Sequence, residues 1–131
     1  PGDHRLHIGG AGNIAGIAEA VRTALREATG ADAPHSWYFP SIGEYSTVLE
    51  AHGFEVRAAW LFDRPTPLDG AEGMRNWITM FGGGLFASAA TLTDDVKRRV
   101  VDLAEAKLFP THFKNGQWFA DYRRIRVVAS K

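Results

Sequence analysis

The sequence predicts a mixed α/β domain, and three observations carry that expectation. Residues 54–62 and 118–130 alternate apolar and polar positions as strands do. The stretches between them return apolar residues every three or four positions, the period of helices with one buried face. Glycines and prolines fall where the period changes. At 131 residues, 45% of them hydrophobic, the chain is long enough for one domain with a real core.

In chain order, His4-Arg5-Leu6-His7-Ile8 reads as a short strand entering the glycine-rich turn Gly9-Gly10-Ala11-Gly12, with Asn13 as the N-cap of a helix. Ile14, Ile17, Val21 and Leu25 form that helix's buried stripe, and Gly30 stops it after Thr29. From Ala31 to Pro40 two prolines and Trp37-Tyr38-Phe39 mark a connection. Ser41 and Glu44 have capping-box spacing, so a second helix starts at Ser41, carries Ile42, Tyr45, Val48 and Leu49 inward and ends at Gly53. Phe54 to Phe62 is then a strand, broken by Asp63-Arg64-Pro65-Thr66-Pro67. A third helix over 71–81 buries Met74, Trp77, Ile78 and Phe81 before a bend at Gly82-Gly83-Gly84. Thr91, Thr93 and Asp94 start a fourth, with Val96, Val100, Leu103 and Leu108 buried and Pro110 as its end. Asn115-Gly116 is a tight turn, and Trp118 to Ser130 is the longest strand, with Ile125, Val127 and Ala129 on one face.

Composition narrows the function. Fifteen basic and fifteen acidic residues balance, which argues against a nucleic-acid partner or an anionic membrane surface. No apolar run approaches the length of a membrane span. The absence of cysteine removes disulfides, thiolate metal sites and a cysteine nucleophile and suits a cytoplasmic protein. A start at Pro1, without a signal-peptide pattern, predicts a processed or truncated polypeptide.

Motifs narrow it further. Gly10-Ala11-Gly12-Asn13-Ile14-Ala15 fits the G-x-G-x-x-A form of a dinucleotide fingerprint, but no apolar strand ending in an acidic residue follows about twenty residues on, so a plain strand-to-helix turn is expected. The five histidines, His4, His7, His35, His52 and His112, form no zinc pattern, and His4 and His7 read as surface or terminal residues, so no metal site is expected. There is no G-x-S-x-G elbow and no P-loop, and no catalytic dyad is expected. In a strand Arg124 and Arg126 share a face with Tyr122 while Arg123 points the other way, which predicts a solvated sheet face with Asp121 as a local partner.

Trp37-Tyr38-Phe39-Pro40-Ser41-Ile42-Gly43-Glu44-Tyr45 followed by Leu49-Glu50-Ala51-His52-Gly53-Phe54-Glu55-Val56 closely resembles the C-terminal half of class I S-adenosylmethionine-dependent methyltransferases of the small-molecule acceptor type. Phe62-Asp63-Arg64-Pro65-Thr66-Pro67-Leu68, Asn76-Trp77-Ile78 and Asp121-Tyr122-Arg123-Arg124-Ile125-Arg126 resemble later landmarks of that family, and Gly9 to Asn13 its turn after the fifth strand. The resemblance spans nearly the whole chain. It implies a single partial domain over 1–131, the C-terminal part of a Rossmann-like methyltransferase fold. That part would hold two or three strands, one of them long and antiparallel, with about four helices and a helical lid insertion at about 68–110. The family's cofactor-binding elements belong to its N-terminal half and have no counterpart here. The resemblance therefore implies S-adenosylmethionine for an intact parent and no cofactor for this chain alone, which by itself would be inactive.

In an open α/β sheet ligands gather at the carboxyl ends of the strands. That rule places Trp37, Tyr38 and Phe39 beside Phe62 and Arg64, with Met74, Trp77 and Phe81 above them, as the lining of an acceptor pocket with one cation. The expected function is thus the acceptor side of methyl transfer to a small organic molecule, either an apolar one or one bearing a carboxylate. The alternative is a non-catalytic binding or dimerisation module derived from the same fold, paired as a homodimer across an exposed sheet edge.

Overall fold

A computed structural model describes residues 2–32, 38–81 and 92–131. Their strands are β1 (Asp3–Gly9), β2 (Glu55–Leu68), β3 (Phe113–Lys114) and β4 (Gln117–Ser130), and their helices α1 (Ala15–Thr29), α2 (Ile42–Ala51), α3 (Gly73–Phe81) and α4 (Asp94–His112). The sheet order is β1-β4-β2, with β3 paired to β4. β1 runs antiparallel to β4, from Asp3 opposite Ser130 to Gly9 opposite Arg124. The mixed α/β class, the four helices and the long antiparallel last strand are thus as expected. Trp37, the bend at Gly82 to Gly84 and the cap role given to Thr91 lie outside the described residues.

The chain divides into two compact units, and the division falls within β2 and β4. The first, a sheet unit, comprises Pro1–Asn13, Tyr38–Pro65 and Tyr122–Lys131. Its buried apolar residues are Leu49 of α2 and Ile125, Val127 and Ala129 of β4, flanked by half-buried Leu6, Ile8, Ile42, Tyr45, Phe54, Val56, Ala59 and Leu61. The predicted face of β4 is therefore the one that α2 covers. α2 starts as spaced: the Ser41 hydroxyl accepts from the Glu44 backbone N–H at 3.1 Å while the Glu44 carboxylate accepts from the Ser41 N–H at 3.0 Å. Val48, expected inward, is exposed, because one helix face can turn only a narrow stripe onto the sheet.

β2 continues to Leu68 through Pro65 and Pro67, where the prolines were expected to end it. β2 lies last in the strand order, so one of its sides has no described neighbour. Residues two apart direct their backbone nitrogens to the same side of a strand, and two prolines so spaced cost no ladder bond on an open side.

The second, a helical unit, comprises Ile14–Trp37 and Thr66–Asp121. Its core is formed by Ile17, Val21, Ala24 and Leu25 of α1, Met74, Trp77 and Ile78 of α3, and Val100, Val101, Ala104 and Leu108 of α4, joined by Trp118 and Ala120. The helical spacing predicted the buried face of α1 and the burial of Met74, Trp77, Ile78, Val100 and Leu108, but Phe81 is half exposed, Val96 and Leu103 are only half-buried, and Val101 and Ala104 are buried in their place. Gly30, at φ 75°, closes α1 in the left-handed region by donating to the Arg26 carbonyl, and the Thr93 hydroxyl caps α4 by accepting from the Val96 N–H. α4 runs two residues past the expected stop: Pro110 sits in its last turn, where the only helical bond it forfeits is the one to the Ala106 carbonyl. Asn115 (φ 53°) and Gly116 (φ 76°) then make the predicted turn between β3 and β4.

Candidate functional site

In the sheet unit, the glycine turn is closed by the protein's own groups. The Gly10 N–H donates to the Arg123 carbonyl, the Ala11 N–H to that of Pro40, and the Asn13 N–H to that of Gly10. The Asn13 side chain, expected to cap α1, instead accepts from the Arg123 N–H at 2.7 Å, and the Arg123 guanidinium donates to the Ala11 carbonyl. A Cβ at Gly10 would come within 2.7 Å of Leu61 and Ile125, and one at Gly12 within 2.6 Å of Arg123. The glycines therefore let side chains of β2 and β4 approach the backbone. Those N–H groups are thus engaged by the protein's own carbonyls, and the space beside Gly10 and Gly12 is taken by side chains of β2 and β4.

Around this turn lie several residues that the sequence nominated. The Phe39 ring rests against Gly9. Tyr38 is exposed and its hydroxyl donates to the Glu44 carboxylate, which raises the phenol's pKa and lowers the carboxyl's. Phe62 and Arg64 are alternate residues on β2 and so share a face. The Arg126 guanidinium stands 5.6 Å from the Phe62 ring centroid and that of Arg124 5.9 Å from the Tyr122 ring, a cation–π arrangement in each case. Arg123, on the other face of β4, pairs with Asp63 at 2.9 Å.

In the helical unit Met74 is fully enclosed and Trp77 nearly so, whereas Phe81 is half exposed, its ring 5.0 Å from that of Trp77. These three residues thus belong to α3's packing, with Phe81 at its open end.

Two features of this unit were not foreseen. The first replaces the missing cap of α1. Ile14 precedes the helix in the left-handed region with no side-chain cap, and the Asp121 carboxylate reaches from β4 to accept from the Gly16 N–H at 2.8 Å. Its other oxygen lies 3.1 Å from His112 Nε2; the pair is too poorly aligned for a full hydrogen bond, and neither buried atom has another partner. Burial pushes the Asp121 carboxyl up, but the facing His112 ring and the Gly16 N–H outweigh it, so the group titrates below its ordinary range. Asp121 is therefore a partner of helix and histidine rather than of the neighbouring arginines, and His112 is largely enclosed. No local signal foretold this, because Asn13 stands before the helix as a suitable cap and is drawn off by the Arg123 N–H.

The second is a groove of about 480 Å³ formed by residues 70–72 just before α3, the second half of α4 and the β3–β4 hairpin. Phe109 and Phe113 stack with centroids 4.9 Å apart, and Trp118 meets Phe113 at 5.0 Å. The Asn115-Gly116 turn could have foretold the last contact, because its register sets Phe113 opposite Trp118. Among the described residues no group of three or more His, Asp or Glu side chains is placed to hold a metal ion, and no helix is long and apolar enough to cross a membrane.

Against known proteins, no family model matches the chain. It is 30% identical over 128 residues to the uncharacterized methyltransferase C70.08c of Schizosaccharomyces pombe. That similarity takes in 94% of this chain and 47% of the relative, so the chain spans about half the length of the curated relative it matches. The chain is thereby related to a methyltransferase.

Proposed function

We propose that this chain is the acceptor-side portion of an S-adenosylmethionine-dependent methyltransferase with a Rossmann-like fold that acts on a small organic molecule. The observation that carries the reading is the 30% identity to a methyltransferase, sustained over nearly all of the chain. The long β4, antiparallel to β1, adds support, since a long antiparallel last strand is what the family resemblance implies. In this reading the methyl donor is held by the remainder of a longer protein, which agrees with a glycine turn packed by the chain's own side chains. What this chain contributes is orientation. On β2, Phe62 and Arg64 set a ring and a cation on one face, a pairing suited to an acceptor with an apolar body and a carboxylate.

The test uses the full-length protein with a panel of small carboxylic acids as acceptors. Arg64→Ala is expected to raise KM for a carboxylate acceptor by about tenfold to a hundredfold, the value of one charge-assisted hydrogen bond, with the methyl donor's affinity unchanged. Unaltered acceptor kinetics would overturn the assignment.

A second reading draws on β1, which lies first in the strand order with its residues exposed or half-buried. Such an edge can pair with a strand of a second copy, giving a binding or dimerisation module. Sedimentation of the chain at micromolar concentration separates the two: a dimer favours the module, and a monomer removes it.

A further inference from the structure

We propose that the groove of the helical unit is a binding site for a protonated organic amine with a flat, apolar body. This inference does not rest on the methyl-transfer reading and needs no methyl donor. Three independent observations meet in it. The volume, about 480 Å³, is that of a small-molecule site. One wall is aromatic: Phe109, more than half exposed, stacks on Phe113, and both rings meet Trp118. Ring faces carry negative potential and attract cations. Glu72, Asp102 and Glu105 also line the groove.

The carboxylates outnumber their partner. Arg75 pairs with all three, with Glu72 and Glu105 at 3.4 Å and with Asp102 more closely, so one guanidinium faces three carboxylates and two negative charges are left over. An anionic ligand is repelled there, and a neutral aromatic one makes no use of the surplus. An ammonium group answers the rings and the carboxylates at once.

Three probes that share a ring and differ in charge test the assignment on the full chain: benzylammonium, benzyl alcohol and benzoate, titrated by calorimetry and by the Trp118 indole resonance. Benzylammonium is expected to bind about tenfold more tightly than benzyl alcohol, with benzoate weakest, a margin typical of one partly desolvated cation–π and carboxylate contact. Glu105→Gln should remove most of that margin without changing benzyl alcohol binding, and Phe109→Ala should weaken both ligands. Glu72→Gln, at an exposed position that the fold tolerates, supplies the same test if Glu105→Gln disturbs packing. Equal binding of the amine and the alcohol, tighter binding of benzoate, no binding of any probe, or a margin indifferent to both glutamine variants would each overturn the proposal.

Discussion

The two units bury their apolar residues in contrasting ways. In the helical unit Ile17, Met74, Ile78 and Val100 are fully enclosed, because packed helices cover one another on several sides. In the sheet unit burial among the described apolar side chains is confined to Leu49, Ile125, Val127 and Ala129, and their neighbours Leu6, Ile8, Tyr45 and Val56 remain half-exposed. One short helix covers one face of a sheet and leaves its rim wet. The contrast teaches that equal hydrophobicity in sequence does not yield equal burial; the number of elements arriving at a position decides it.

The largest effect that could break this contrast is a matched pair of core truncations. Ile17→Ala is expected to cost about 3–4 kcal/mol and Ile125→Ala about 2, since half-exposed neighbours collapse more readily into the space left behind. Denaturant unfolding measures both, and equal losses would mean that the sheet unit is as tightly held as the helical one.

A smaller effect concerns how α1 is fastened. Asp121→Ala strands the Gly16 N–H and the His112 ring and is expected to cost about 1–3 kcal/mol at neutral pH. The native state holds this carboxyl ionised more firmly than the unfolded chain does, so its contribution is complete above the ordinary carboxylate range and is lost as pH falls below about 4. Thermal melts of wild type and variant should therefore converge at acid pH. A gap that persists there would remove the electrostatic account.

Smallest is the cap of α2. Ser41→Ala should cost about 1 kcal/mol, with no change in the pH dependence just described, because that cap is local to the sheet unit. A shift in the acid transition would show that the two helix starts are not independent.

What the sequence revealed follows the reach of each interaction. The stripe Ile14, Ile17, Val21, Leu25, the box at Ser41 and Glu44, the stop at Gly30 and the turn at Asn115-Gly116 are all settled within a few residues, and all were legible. The passage of β2 through Pro65 and Pro67 was not, because it depends on β2's place in the sheet. Asp121 could be read only as a neighbour of arginines, since the helix it holds starts more than a hundred positions earlier. The groove was hidden for the same reason: its rings and carboxylates come from residues 72 to 118, and the eight residues nominated for an acceptor pocket include none of its lining.

The bond between Gly16 and Asp121 also bears on how the molecule is made. During synthesis the first turn of α1 lacks an anchoring side chain until residue 121, 105 positions after Gly16, has followed. Closure of so long a loop is slow and entropically costly. The first turn of α1 is thus completed only when β4 is in place, so formation of α1 and docking of β4 are expected to be one coupled event.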